Sequence, residues 1–135
     1  GDYRLDNMIL KNNEVVGILD WELSTLGHPI ADFSYHCLSW RTQEAFWDEA
    51  KLKELGIPSE KEYMEMYCEN SGKDLSKNWE FYMAFNMFKI AGILQGILGR
   101  VRDGTAASKH AEERGNMVFP LSEAAWSTIE ENFLK

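Results

Sequence analysis

Two short apolar runs near the start of the chain, Met8-Ile9-Leu10 and VVGIL over residues 15–19, flank Lys11-Asn12-Asn13-Glu14. Asn tolerates positive φ, so the Asn pair suits a tight turn, and the runs are predicted to pair as an antiparallel β-hairpin. Beyond Asp20 the pattern changes. Residues 21–30 contain Gly27 and Pro29 and read as a loop with room for one helical turn. From there onward helical spacing dominates. The expectation is an α+β chain, one short hairpin followed by a mostly helical bundle.

Ala31 to Trp40 places Phe33, Cys37 and Trp40 near helical spacing, with Asp32 at its start. Thr42 is a candidate cap for a helix through Leu55, ended by Gly56 and Pro58. Ser59 and Glu62 have the spacing of a capping box for a helix to about Ser71, with Gly72 as its stop and Tyr63, Met64, Tyr67 and Cys68 on its apolar face. The longest helix is expected from about Ser76 to Arg102, apolar on more than one face and so central. Its Gly92, Gly96 and Gly99 suggest close packing or a bend. Asp103-Gly104-Thr105 reads as a loop, and a last helix is expected from near Leu121 to Leu134.

At 135 residues with 44% hydrophobic content, the chain can fill the core of one domain. Acidic residues outnumber Lys and Arg by 22 to 14, which argues against nucleic acid or an anionic membrane as the main partner. Residues 81–101 are interrupted by Asn86, Lys89, Gln95 and Arg100, as in a core helix and unlike a membrane-inserted one. Cys37 and Cys68 form neither a metal motif nor a disulfide framework, and point to an intracellular, reducing compartment. The first residue is Gly and no signal peptide is recognisable, so the chain is expected to begin after processing or part way through a larger protein.

The informative polar residues are Asp2, Asn7 and Asp20. Asn7 leads into the first strand and Asp20 leaves the second, so an antiparallel hairpin brings them together, with Asp2 in reach from the preceding loop. Two carboxylates and an amide oxygen there suit a hard cation such as Mg²⁺. Arg4 adds a group that can meet phosphate oxygens. Asp and Asn are also ordinary turn residues at strand ends.

The pattern G-D-x-x-x-x-N, a hairpin, then ILDWE resembles the catalytic half of the aminoglycoside phosphotransferase-like kinases, which share the catalytic-loop and metal-Asp logic of protein kinases. Within that group, LDWELSTLGHPIADFSY and YMAFNMFKIAGILQGILGR resemble the phosphotransferase domain of acyl-CoA dehydrogenase family members ten and eleven and their bacterial relatives. The resemblance covers essentially the whole chain, 1–135, and implies the C-terminal lobe of a protein-kinase-like fold. It implies that Asp2 is the catalytic Asp that orients and deprotonates an acceptor hydroxyl. Asn7 and Asp20 become the metal ligands, Arg4 lies near the transferred phosphate, and Asp32 supports the catalytic loop. Glu22 is a candidate for substrate or for the cation's outer surroundings. His28 departs from the Asp common in the G-x-P turn and is assigned to the turn. Gln95, Arg100 and Arg102 line an acceptor pocket, belong to a solvated helix face or form intramolecular ion pairs. His36 is expected as a packed helix residue and His110 as an exposed one.

The family pattern also expects a His before Gly1 and an upstream lobe carrying a phosphate-covering loop, a Lys and a supporting Glu. None of these is in the chain, so the N-terminal nucleotide-binding lobe is expected as a missing partner and the fragment alone as inactive. The resemblance implies an ATP- and Mg²⁺-dependent phosphotransferase acting on a small hydroxylated substrate, a hydroxy acid or hydroxyacyl-CoA in one version and an aminoglycoside in another. The alternative is a non-catalytic kinase-like module that positions an acyl-CoA dehydrogenase. The compartment would be cytoplasm in a bacterium, mitochondrion or peroxisome in a eukaryote.

Overall fold

Asn12 and Asn13 both take left-handed conformations, φ 52° and 62°, and close the expected hairpin in a computed structural model that describes residues 1–42, 49–75 and 77–135. Strands β1 (Met8–Lys11) and β2 (Glu14–Ile18) pair antiparallel, Met8 opposite Ile18 and Lys11 opposite Glu14. The register shifts between Ile9 and Leu10, where β2 carries an extra residue. A 3-10 turn, Trp21–Leu23, follows the hairpin and is the single turn expected in that loop.

Helix α1 spans Pro29–His36, two residues earlier than Ala31. Pro29 opens it because proline's φ is already helical and its missing N–H is not needed in the first turn. His28 caps it by accepting the Ile30 N–H at Nδ1, 3.3 Å. The expected end of this helix, Cys37–Trp40, tightens into a 3-10 turn. Helix α2 is Glu49–Glu54; the cap expected at Thr42 leads into residues outside those described. Helix α3, Glu60–Ser71, has the capping box the sequence announced. Ser59 Oγ accepts the Glu62 N–H at 3.3 Å, Glu62 Oε2 accepts the Ser59 N–H at 2.8 Å, and left-handed Gly72 ends the helix.

Helix α4 runs Trp79–Arg102, starting at Trp79 where Ser76 was expected; residue 76 itself is outside the described set. Helix α5, Ala111–Gly115, was not expected. Helix α6, Val118–Phe133, begins three residues before Leu121, because Pro120 falls in a first turn whose N–H groups need no helical partner.

The chain divides into two compact units, Gly1–Trp79 and Glu80–Lys135. In the first, Ile30, Phe33, Cys37, Leu38, Leu75 and Trp79 are buried. Phe33 stacks on Tyr67 with centroids 3.9 Å apart and tilts against Tyr63 and Trp79, while Tyr63 stacks on Trp40. Each such pair contributes about 0.5–1.5 kcal/mol beyond area burial. Glu60 ties this cluster together, accepting Arg41 Nε at 2.9 Å and Trp79 Nε1 at 2.8 Å.

In the second unit Met83, Asn86, Met87, Ala91, Leu121 and Ala125 are buried. Helix α4 is long and apolar enough to cross a membrane by length and composition alone. Phe81, Phe85, Phe88 and Ile93 on it are about half-exposed, so its apolar faces are less fully covered than a central helix implies. A Cβ at Gly92, Gly96 or Gly99 would meet open space, so these glycines do not serve close packing in this fold. Gly115 does: a Cβ there would overlap the Leu98 side chain.

Candidate active site

The segment before the hairpin is short and heavily tied. Asn7 sits at the end of a 3-10 turn, Leu5–Asn7, with its side chain folded back on Asp2. Its Nδ2 donates to the Asp2 carbonyl at 2.9 Å and to Asp2 Oδ2 at 3.0 Å. Both contacts use the amide nitrogen, which leaves the amide oxygen, the atom a hard cation would take, pointing to the other side of the group. The Leu19 N–H donates to the Asn7 carbonyl at 2.8 Å and extends the hairpin by one rung. Asp20 is the next residue. Hairpin pairing thus brings Asn7 and the Asp20 backbone together although they are 13 positions apart in sequence.

Asp20 adopts φ 60°, ψ 51°, a left-handed conformation that Asp tolerates better than most side chains. The carboxylate is exposed, as is Glu22 in the following 3-10 turn. Asp2, by contrast, has a side chain only 14% exposed. Arg4 Nε lies 3.5 Å from Asp2 Oδ2 and 3.9 Å from Asp6 Oδ2, so the guanidinium now faces carboxylates.

Helix α1 supplies the other side of this site. Asp32 Oδ1, a buried oxygen, lies 3.0 Å from the Gly1 nitrogen. Tyr35 hydrogen-bonds the Asp2 carboxylate through its side chain; burial first, then the Asp2 charge and this bond, push its phenol pKa up. His36 Nδ1 is 3.2 Å from the Tyr3 carbonyl and Nε2 is 3.1 Å from the Tyr63 hydroxyl. Burial lowers the His36 pKa, partly offset by the Tyr3 carbonyl and by Asp32. Cys37, the next residue, is fully buried and its thiol is pushed up to about 12 by burial and then by Glu60.

Sequence reasoning passed over Tyr35 and assigned no chemistry to His36. The signal was present: positions 32, 35 and 36 share one helical face, the same face whose first member was already assigned to the loop. Gln95 and Arg100 lie on α4 in the second unit with exposed side chains, and Arg102 pairs with Asp103 at 3.3 Å. His110 is exposed, 3.5 Å from Glu113. Among the described residues no three His, Cys, Asp or Glu side chains gather as a metal cluster. The donor set is instead one carboxylate and one amide oxygen, which fits Mg²⁺, an ion that commonly takes one or two protein oxygens and completes its shell with water and phosphate.

The model of the phosphotransferase enzyme family matches residues 1–67, the stretch that holds the contacts among Asp2, Asn7, Tyr35 and His36. A solved structure of a candidate aminoglycoside phosphotransferase from Ralstonia eutropha JMP134 superposes with a TM-score of 0.84 at 46% identity over 97% of the chain. The chain has an aminoglycoside-phosphotransferase-like fold. Its hairpin followed by helices matches the C-terminal, kinase-like lobe. It is related to the kinase-like domain of acyl-CoA dehydrogenase family members 10 and 11: it is 44% identical over 133 residues to member 10 of Mus musculus and 36% identical over 139 residues to member 11 of Homo sapiens. The chain spans 41% of the solved relative and 12% and 18% of these two proteins.

Proposed function

We propose that the complete protein is an ATP- and Mg²⁺-dependent phosphotransferase whose acceptor is the hydroxyl of a small molecule. The observation that carries this reading is the pair of hydrogen bonds that Asn7 Nδ2 donates to the carbonyl and carboxylate of Asp2, set one rung from Asp20. It joins a candidate base to a candidate metal ligand through one rigid amide.

In this reading Asp2 orients the acceptor hydroxyl and takes its proton as the new oxygen–phosphorus bond forms and the bond to the leaving nucleoside diphosphate breaks. Tyr35 and Asn7 hold the carboxylate still. Asn7 and Asp20 supply hard oxygen donors for Mg²⁺, which when bound neutralises charge on phosphate oxygens. Arg4, half-exposed and 3.5 Å from Asp2, is the cation that would meet phosphate oxygens. Proton transfer to Asp2 contributes about 10²–10⁴-fold; orientation and electrostatics supply the rest. Turnover requires more of the domain than these 135 residues, which span 41% of the solved relative. The acyl-CoA dehydrogenase names of two relatives point to a hydroxy acid or hydroxyacyl-CoA as acceptor, and the name of the solved relative points to an aminoglycoside. The acyl-CoA dehydrogenase names also support the second reading, a non-catalytic module that accompanies an acyl-CoA dehydrogenase. Free Cys37 and Cys68 support a reducing compartment.

The test is an assay of the intact protein with ATP and Mg²⁺ over a panel of hydroxy acids, hydroxyacyl-CoAs and aminoglycosides, following ADP and phosphorylated product. A phosphorylated hydroxyl is expected. No product and no ADP across the panel would overturn the reading and leave the binding module.

A further inference from the structure

Residues 1, 2 and 3 each meet α1, and each through a different side chain of that helix. Gly1 nitrogen faces Asp32, Asp2 carboxylate faces Tyr35, and Tyr3 carbonyl faces His36. The last contact differs from the others because it continues into a second helix: Tyr63 of α3 lies at the opposite ring nitrogen of His36. Both tyrosine rings also pack on the imidazole, with centroids 5.3 Å and 5.6 Å away.

We propose that His36, with its tautomer set by the Tyr3 carbonyl and matched by the Tyr63 hydroxyl, is a positioning residue that fixes the orientation of Asp2 by holding that carbonyl of the adjoining residue. The proposal rests on the phosphotransferase reading above. A carbonyl can only accept, so the imidazole must donate from Nδ1. Nε2 is then the acceptor and Tyr63 O–H the donor. Burial favours this arrangement on both partners, lowering the His36 pKa and raising that of Tyr63. A phenol that stays protonated beside an imidazole that stays neutral leaves one consistent pattern of donors and acceptors. Tyr63 is itself clamped between the Phe33 and Trp40 rings, so the Tyr3 carbonyl is referenced to the aromatic core of the unit. The Tyr3 carbonyl belongs to the Tyr3–Arg4 peptide, one peptide on from Asp2, so holding it fixes the Tyr3 backbone to which Asp2 is joined, and displacement of a catalytic group by about 1 Å can cost on the order of 10²-fold in rate.

The experiment uses the intact protein and three variants. Tyr63→Phe keeps the packing and removes the hydroxyl; His36→Phe removes both hydrogen bonds; His36→Gln restores a donor toward Tyr3. The expected result is a fall in kcat approaching 10²-fold for His36→Phe, a smaller fall for Tyr63→Phe, and partial recovery in His36→Gln. KM for ATP and acceptor should change little, and circular dichroism should show folded protein. Nitrogen-15 shifts of His36 in the wild type should report protonation at Nδ1, a readout that needs no turnover. Unchanged kcat in folded His36→Phe, or a proton resident on Nε2, would overturn the positioning role in an active enzyme. A wild type without turnover on any hydroxyl acceptor would instead overturn the phosphotransferase reading, and with it the catalytic purpose of the contact.

Discussion

Asp20 is a non-glycine residue in the left-handed region, at φ 60°, and its carboxylate is exposed. A backbone that would suit glycine here carries an exposed Asp side chain, in the position proposed above for a metal ligand. Asp20→Gly should therefore leave stability within about 0.5 kcal/mol of wild type or raise it. Asp20→Val, β-branched in the same conformation, should cost about 1–2 kcal/mol. Chemical denaturation of both variants checks this, and a glycine variant less stable than the valine one would contradict it. His36 makes a second residue-scale prediction. Its folded pKa lies below its ordinary value of 6.5 because burial disfavours the imidazolium, so the folded state binds fewer protons than the unfolded chain in that range. The stability it contributes is present above pH 6.5 and is lost as pH falls through the folded pKa. Melting temperature followed from pH 7.5 to 5.5 should drop in wild type more than in His36→Gln; parallel curves would contradict the assignment.

At the scale of elements, Gly115 of α5 packs directly against the Leu98 side chain of α4. Gly115→Ala should cost about 1–3 kcal/mol through overpacking, and the cost should shrink in a Leu98→Ala background, where the overlapping atoms are gone. Equal costs in both backgrounds would mean that Leu98 already moves aside freely. Local rules made several elements readable in advance. The Asn12-Asn13 turn, the Ser59–Glu62 capping box and the Gly72 stop depend only on residues a few positions apart. Boundaries failed where one element tightened into another, as at Cys37–Trp40, or where a proline opened a helix, as at Pro29 and within the first turn of α6. Five-residue α5 is too short to show a period. The meeting of Asp2 with Asn7, and the return of the chain to Asp20 beside them, was readable because a hairpin fixes which residues return to its base. The Tyr35–Asp2 and His36–Tyr63 contacts were not, since they join residues 33 and 27 positions apart through packing of helices on one another.

At the scale of the whole chain, acidic excess and exposed apolar surface oppose each other. The net charge of −8 keeps copies apart, while Ile9, Leu10, Val16, Leu19, Trp21 and Leu23 present apolar side chains around the hairpin. The isolated 135-residue polypeptide should self-associate with rising concentration, and more strongly as salt screens the charge. Sedimentation equilibrium that shows a monomer throughout, insensitive to salt, would contradict this. The arrangement as a whole is a hairpin and one helix that converge on a three-residue segment, and its meaning turns on Asp2. The direct measurement is steady-state phosphoryl transfer to the hydroxyl acceptor by the intact protein, wild type against Asp2→Asn, with ATP affinity measured on both. The account predicts a loss of kcat of about 10²–10⁴-fold with nucleotide affinity nearly unchanged. Transfer at the wild-type rate by a folded Asp2→Asn protein would contradict it.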